Sequence, residues 1–279
     1  MELRPNDPHY PAALRDLPDP PRTLWTRGQL ALLERPCVAI VGTRRATAYA
    51  ERVTRELARS LARAGACVVS GLARGVDVAA HRAALEANGA TCAVLGTGLD
   101  IVYPRGHAAL QREIGEHGVL LSELAPSYAA HGGSFPRRNR IIAALARVTI
   151  VVEAGVKSGA LITANHALEL NRTVAAVPGP IDIPQAEGSN ELLRDGATMI
   201  ASMADAVALL GLTAPARARD LPADGSERAL WDALAAGHAD LDTLSTRARL
   251  PAHEAMAAVS ALELRGLVEC ALTGEIRRT

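Results

Sequence analysis

Short apolar runs alternate with longer amphipathic segments from Cys37 onward, and this alternation constrains the fold more than any other feature of the sequence. Apolar runs of about four to eight residues are typical of strands buried on both faces of a parallel sheet, and parallel strands are usually joined by helices. Strands are predicted at 37–43, 66–71, 91–98, 118–123, 148–154 and 173–179, with a weaker edge strand at 198–202. Helices are predicted at 47–64, 75–88, 107–117, 138–146 and 159–171. The pattern predicts a doubly wound, mostly parallel α/β sheet.

The rest of the chain predicts a second, smaller domain. Residues 1–36 are rich in proline, and we interpret them as an arm packed on a sheet domain of residues 37–211. A polar, proline-containing stretch at 212–225 is interpreted as a linker. Residues 226–279 give three helical periods followed by two strand-like pieces, which is the outline of a winged-helix domain.

The composition limits the possible partners. The 30 basic and 30 acidic residues give a formal net charge of zero, so any site for a polyanion must be a local basic patch. Three of the four cysteines lie in apolar runs, which predicts neither a disulfide framework nor a metal site. The absence of a signal core and of a long apolar stretch predicts a soluble, cytoplasmic protein with no membrane partner.

Three strand ends carry small and basic residues, at 42–45, 70–77 and 153–163, and each leads into a predicted helix. Ligands of open α/β sheets bind beyond the carboxyl ends of the strands, and backbone N–H groups at helix N-termini attract anions. Each loop alone could equally be a helix cap. Three of them on one sheet edge predict a site for a polyphosphate backbone.

The segment FPRRNR at 135–140 places the only phenylalanine of the chain beside three arginines. Two interpretations stay open. Phe135 could be a platform for base stacking while the arginines contact phosphates, or it could fill the core while the arginines face solvent.

No catalytic or cofactor-binding constellation is recognisable. Gly42 is not followed by the glycines of a dinucleotide-binding fingerprint and no Walker lysine motif occurs, so no cofactor is predicted. Glu123, Glu153 and Asp77 lie near strand ends, but no nucleophile stands at a recognisable spacing from them. We therefore predict that the protein is not an enzyme.

Taken together, these segments closely resemble the DprA/Smf family (DNA-processing protein A), from about Leu3 to the C-terminus. The motifs are VGTRRATAYA, SGLARGVDVAAHRAAL, AVLGTGLDIVYPRGH, LLSEL, FPRRNRIIAAL, VVEAGVKSGALITANHALELNR, AVPGPI and GSNELLRDGA, and in this order they are highly specific. The resemblance implies an extended Rossmann-like fold that binds single-stranded DNA with little sequence preference. It also implies a homodimer that loads RecA recombinase on DNA entering by natural transformation.

The resemblance also implies which residues bind DNA. Carried over by position, they are Gly42, Thr43, Arg44, Phe135, Arg137, Asn139, Arg140, Lys157, Ser158, Gly159 and Thr163. Leu193 and Met199 match the part of the family that forms the dimer and lies near the RecA contact. Many relatives carry a lysine at the position of Gly132, so a phosphate contact is missing here unless His131 or Arg137 supplies it.

Two other functions stay open. A phosphoribohydrolase that acts on nucleoside monophosphates has a similar architecture, but the stretch EAGVKSGALIT lacks the glycine-rich motif of those enzymes. A transcription regulator would read duplex DNA with the winged helix. Against this, the segment TLSTRARLPAHEAMAAVSAL offers only two arginines, whereas recognition helices are usually more basic or amide-rich.

Overall fold

A computed structural model describes residues 1–213, 222, 225–265, 267–271 and 274–278. The chain falls into two units, Met1–Pro215 and Ala216–Thr279. Most of the linker predicted at 212–225 lies outside the described residues, and the proposed domain boundaries stay a prediction.

The larger unit is built on one nine-stranded sheet. Its strands are β1 (Glu2–Leu3), β2 (Leu24–Gly28), β3 (Cys37–Val41), β4 (Cys67–Ser70), β5 (Ala90–Val94), β6 (Val119–Ser122), β7 (Val148–Val151), β8 (Thr173–Ala176) and β9 (Thr198–Met199). Their spatial order is β1-β2-β6-β5-β4-β3-β7-β8-β9, and all pairs from β6 to β9 in this order are parallel. The predicted doubly wound, mostly parallel sheet is confirmed. Its strand order reverses between β3 and β7, which is the switch point where such sheets bind ligands.

Two strands of the sheet come from the proline-rich N-terminal segment. β2 pairs antiparallel with β6, in a register that places Trp25 opposite Ser122, and β1 pairs antiparallel with β2. Further along the same segment, Asp16 forms an ion pair of 2.7 Å with Arg172, which directly precedes β8. The N-terminal segment therefore extends the sheet as well as packing on it.

Helices cover both faces of the sheet. They are α1 (Ala48–Arg63), α2 (Val76–Glu86), α3 (Ala108–His117), α4 (Ser134–Leu145), α5 (Gly159–Glu169), α6 (Glu187–Arg194) and α7 (Met203–Leu209). Successive residues of a strand face opposite sides, so Ala39 packs in the core shared with α4 and α5, whereas Ile40 packs in the core shared with α1 and α2. This is why the central strands read as continuous apolar runs.

Helix α4 begins four residues before the position predicted from the sequence. The predicted start at 138 is wrong because Pro136 lies in the first turn of the helix, where the N–H groups have no intrahelical partner and proline is tolerated. The arginine-rich segment is consequently helical. Phe135, Arg138, Asn139 and Ile142 are spaced i, i+3, i+4 and i+7 and share one face.

The described residues of the smaller unit form three α-helices and an antiparallel pair of strands, which confirms the predicted winged-helix domain. Its elements are α8 (Gly225–Ala233), α9 (Leu241–Ala248), α10 (Ala252–Leu264), β10 (Val268–Cys270) and β11 (Ile276–Arg278). The two strands are antiparallel, and Trp231, Leu244 and Leu262 pack in its core. Over the described part of the whole chain, no helix combines the length and the apolar character needed to span a membrane.

Candidate nucleic-acid interface

A cavity of about 680 Å³ opens where the chain leaves β3 and β7, at the switch point of the sheet. Its walls come from the loop after β3, the cavity-facing side of α4 and the loop before α5. Nine of the eleven residues expected to bind DNA line it: Gly42, Thr43, Arg44, Phe135, Asn139, Lys157, Ser158, Gly159 and Thr163. The structure therefore brings three distant sequence segments into one site.

The cavity is strongly basic although the chain as a whole is neutral. Arg44, Arg45, Arg138 and Lys157 line it, and Asp77 is the one acidic residue among the lining residues. The local basic patch required by the neutral composition thus lies at the predicted edge of the sheet.

The loop after β3 is held by Glu153, which follows β7. The backbone N–H of Thr43 donates to the Glu153 carbonyl oxygen at 2.7 Å. The Glu153 carboxylate accepts the Thr47 backbone N–H at 3.0 Å and the Thr47 hydroxyl at 2.8 Å, just before α1 begins. A carboxylate of the protein itself therefore occupies the positive N-terminus of α1, where the sequence predicted a phosphate.

The carboxylate of Asp77 binds backbone N–H groups of the loop after β4, much as the carboxylate of Glu153 binds Thr47. Its carboxylate accepts the backbone N–H groups of Gly71 at 3.1 Å and Ala73 at 3.2 Å. Burial raises the pKa of Asp77, and the nearby positive charge of Arg138 opposes that rise. These two amides of the loop after β4 are therefore not open to a phosphate, whereas the predicted contacts of Gly42, Thr43 and Arg44 with DNA stay a prediction.

Gly75 lies where the loops after β3 and β4 are in close contact. Its φ is +73°, a conformation that favours glycine, and a Cβ atom there would lie 2.3 Å from the Thr43 carbonyl oxygen. The loops after β3 and β4 therefore meet at a position that no larger residue can fill without displacing one of them.

The loop before α5 is arranged differently. Ser158 caps the helix by accepting the Ala160 N–H at 3.2 Å, and Lys157 is exposed. The Asn139 side chain donates to the Gly159 carbonyl oxygen at 3.1 Å, and the Thr163 hydroxyl donates to the same oxygen at 3.4 Å. Asn139 and Thr163 thus position the loop that presents Lys157.

Arg138 is the buried arginine of the site. Its guanidinium donates to the carbonyl oxygens of Gly71, at 2.7 Å, and Val94. Burial lowers the pKa of Arg138 to about 10, so the side chain stays charged at neutral pH. Its two neighbours, Arg137 and Asn139, were predicted to bind DNA, whereas Arg138 was not. The i, i+3, i+4, i+7 spacing with Phe135 and Ile142 was the signal that could have found it.

Arg137 and Arg140 do not line the cavity. Arg140 lies 2.6 Å from the carboxylate of Glu123 and 4.0 Å from that of Asp19, so it ties α4 to β6 and to the N-terminal segment. Arg137 lies 3.4 Å from Glu123, and its side chain is 60% exposed. Their predicted contacts with DNA stay a prediction.

Phe135 is half-buried and packs at the mouth of the cavity. A Cβ atom on Gly96 would lie 2.6 Å from its Cδ1 atom, so the ring lies directly against the backbone of that glycine. The guanidinium carbon of Arg44 lies 5.7 Å from the ring centroid. The ring of Tyr103, which was not among the predicted site residues, lies 5.0 Å away, centroid to centroid. Phe135 thus lines the cavity and is not a member of the buried core clusters of the described residues.

Gly132 is exposed, and open space surrounds the position of its missing side chain. The neighbouring His131 accepts the Gly133 N–H at 3.2 Å and contacts the ring of Tyr128 at 5.8 Å. His131, Gly132 and Arg137 all lie outside the set of residues that line the cavity.

A Rossmann-like sheet with a basic, aromatic-edged cavity at its switch point, together with a winged-helix unit, defines a class of polyanion-binding α/β proteins. Within that class, the model of the family DNA recombination-mediator protein A matches residues 2–211, and that of the DprA winged helix domain matches residues 213–271. The chain belongs to the DNA recombination-mediator protein A family.

Individual relatives agree with this assignment. The chain is 42% identical to a putative DNA processing protein DprA of Mycobacterium tuberculosis over 261 residues, which cover 90% of this chain and 67% of that protein. It is 42% identical to the DNA processing protein DprA of Streptococcus pneumoniae over 202 residues, 72% of this chain and 71% of that protein.

Two solved structures are similar to the chain. The X-ray structure of DprA from Streptococcus pneumoniae matches with a TM-score of 0.72 and 40% identity, over 75% of this chain and 73% of that one. A structure of DprA from Helicobacter pylori, described for its single-stranded DNA binding mode, matches with a TM-score of 0.69 and 36% identity, over 76% of this chain and 96% of that one.

Proposed function

We propose that this protein binds single-stranded DNA in the cavity between β3 and β7, as a homodimer, and loads RecA recombinase on that DNA during natural transformation in the cytoplasm. The observation that carries the proposal is the convergence of Arg44, Lys157 and Phe135 on one cavity. The Helicobacter pylori relative, described for its single-stranded DNA binding mode, supports the same ligand.

The proposed chemistry divides between phosphates and bases. Arg44 and Lys157 are exposed cations on opposite loops and would contact the phosphate backbone. Phe135 offers an aromatic surface for unpaired bases, which a duplex keeps stacked inside. Neither kind of contact reads base edges, so little sequence preference is expected.

The carboxylates near the strand ends support a binding role rather than a hydrolytic one. Asp77 accepts two backbone N–H groups, Glu153 accepts both donors of Thr47, and Glu123 accepts Arg140. A general acid or base needs an atom free to reach the substrate, and these groups are engaged with the protein.

The winged-helix unit is proposed to contact a partner protein rather than duplex DNA. The exposed residues of α10 include Met256, Glu254 and Glu263. Glutamates on the helix that would enter the major groove repel phosphates.

For the homodimer, Met199 is the better placed of the two predicted residues. It is 54% exposed and lies on β9, the edge strand of the sheet, whereas Leu193 is partly buried against the core. Replacing Met199 with Glu is expected to give a monomer in light scattering that still unfolds cooperatively on heating. A dimer that persists in this variant contradicts the interface.

Fluorescence anisotropy with labelled single strands and duplexes of equal length, over a salt series, tests the DNA-binding proposal. Single strands are expected to bind more tightly. Arg44→Ala and Lys157→Ala should each lower the slope of log affinity against log salt by about 0.7. Arg63→Ala is the matched control, because Arg63 ends α1 far along the helix from the loop after β3. Equal affinity for duplex, or unchanged slopes, would refute the site.

The loading proposal needs its own measurement. RecA filament formation is followed on single strands coated with single-strand-binding protein, with and without this chain. A higher rate is expected with the parent protein and a lower one with Arg44→Ala. No acceleration by the parent protein contradicts the loading function and leaves the DNA site in place.

A further inference from the structure

Tyr103 forms an aromatic pair with Phe135. It lies in the loop between β5 and α3, and its ring centroid is 5.0 Å from that of Phe135, with 36° between the ring planes. This distance falls in the range of attractive aromatic pairs. Tyr103 is 45% exposed, whereas Phe135 is half-buried, so the tyrosine is the outer ring of the pair.

Other groups already surround Phe135. The backbone of Gly96 packs so closely against the ring that a methyl group would not fit between them. The guanidinium of Arg44 lies over the ring, with its carbon 5.7 Å from the centroid. A base that approaches from solvent therefore meets Arg44 or Tyr103 at least as readily as the phenylalanine.

Tyr103 also lies outside the set of residues that line the cavity. A strand that fills the cavity and continues past Phe135 would next reach the exposed ring. An exposed tyrosine ring offers a surface for base stacking whatever the base, because every base has a π face.

We propose that Tyr103 is the outer base-stacking residue of the site, supported from below by Phe135, and that it extends the path of the strand beyond the cavity. The proposal rests on the proposed binding of single-stranded DNA. Phe135 then acts partly as a positioning residue, because its ring packs against that of Tyr103.

Three variants test this role. Tyr103→Ala removes the ring and Tyr103→Phe keeps it. Tyr128→Ala is the matched control, since Tyr128 is 40% exposed on a neighbouring loop and its ring contacts His131 instead of Phe135. Each is titrated by anisotropy with an oligo-dT strand and with a strand of equal length made of abasic sites.

Tyr103→Ala is expected to weaken binding of oligo-dT by at least about fivefold, which corresponds to the lower end of stacking energies for one base. Its binding of the abasic strand and its salt slope should match the parent protein, because no phosphate contact is lost. Tyr103→Phe and Tyr128→Ala should bind both strands like the parent protein.

Three results would overturn the assignment: parental affinity of Tyr103→Ala for oligo-dT, an equal loss on the abasic strand, or an equal loss in Tyr128→Ala. If Tyr103→Ala does not fold, oligonucleotides with 5-iodouracil are photocrosslinked to the parent protein, and a crosslink at Phe135 without one at Tyr103 also overturns it. If the parent protein shows no preference for single strands, the proposed function itself is refuted. This outcome is distinct from those above, which overturn only the role of Tyr103.

Discussion

Arg138 and Gly71 are joined by a hydrogen bond of 2.7 Å between a guanidinium nitrogen and a carbonyl oxygen. The bond links α4 to the loop after β4, and a second bond from the same guanidinium reaches Val94 at the end of β5. Phe135 and Asn139 share the cavity-facing side of α4 with Arg138. One buried arginine thus fixes the helix that carries the aromatic part of the site.

Arg138→Ala is expected to lower the free energy of unfolding by about 3 to 5 kcal/mol, because it leaves two buried carbonyl oxygens without their donor and removes the positive charge near the buried Asp77. Arg137→Ala is the control. Its side chain is 60% exposed and pairs with Glu123, so its loss should cost no more than about 1 kcal/mol. Urea denaturation measures both, and equal losses would contradict the structural role of Arg138.

Gly96→Ala is expected to displace the Phe135 ring, since the new Cβ atom would lie 2.6 Å from Cδ1. The loss of stacking should cost roughly 1 to 3 kcal/mol of binding to single-stranded DNA without changing the salt slope. Gly132→Ala, where open space surrounds the new atom, should bind like the parent protein. If Gly96→Ala folds and binds single-stranded DNA like the parent protein, Phe135 does not stack on the bases.

Gly132→Lys introduces the lysine that the resemblance to the DprA/Smf family leads us to expect at this position. Gly132 is exposed and open, so the side chain fits without displacing its neighbours. Affinity for single strands should rise, and the slope of log affinity against log salt should increase by about 0.7 for one added phosphate contact. Gly132→Gln controls for side-chain length without charge. An unchanged slope in the lysine variant would mean that the strand does not pass this position.

His81 makes the stability of the protein depend on pH. Its Nδ1 lies 2.7 Å from the Thr91 hydroxyl, and burial lowers the pKa of His81 to about 3. Because the folded-state pKa lies below the unfolded value of about 6.5, the unfolded chain binds the proton more readily. The contribution of neutral His81 to the free energy of unfolding is fully present at pH values above the unfolded pKa of about 6.5. It decreases as the pH falls from there towards 3.

Lowering the pH from 7.5 to 5.5 should therefore cost about 1.4 kcal/mol through His81 alone. Urea denaturation at both pH values, in the parent protein and in His81→Gln, isolates this contribution, because the other titrating groups are common to both. A difference between the proteins that does not change with pH would contradict it.

The central strands could be predicted because each is buried on both faces and reads as an apolar run. β1 and β2 escaped prediction because their pairing depends on a partner far along the chain: Trp25 lies opposite Ser122. Nothing local in a two-residue or five-residue segment between prolines indicates which strand will pair with it.

The candidate site could be predicted in outline, because the strand-end rule and the resemblance pointed to the loops that converge. The sequence did not reveal that the loop amides bind carboxylates of the protein itself. Thr47 and Glu153 are separated by 106 residues, and only the folded sheet brings them together. Arg138 was missed for a related reason, since its role depends on where α4 starts.

The carboxylates of Glu153 and Asp77 also affect how a bound polyanion is released. The amides of Thr47, Gly71 and Ala73 already bind carboxylates of the protein, and the exposed side chains of Arg44 and Lys157 face the cavity. Exposed side chains change rotamer within nanoseconds and independently of one another. A polyanion held by such side chains can therefore be released one contact at a time.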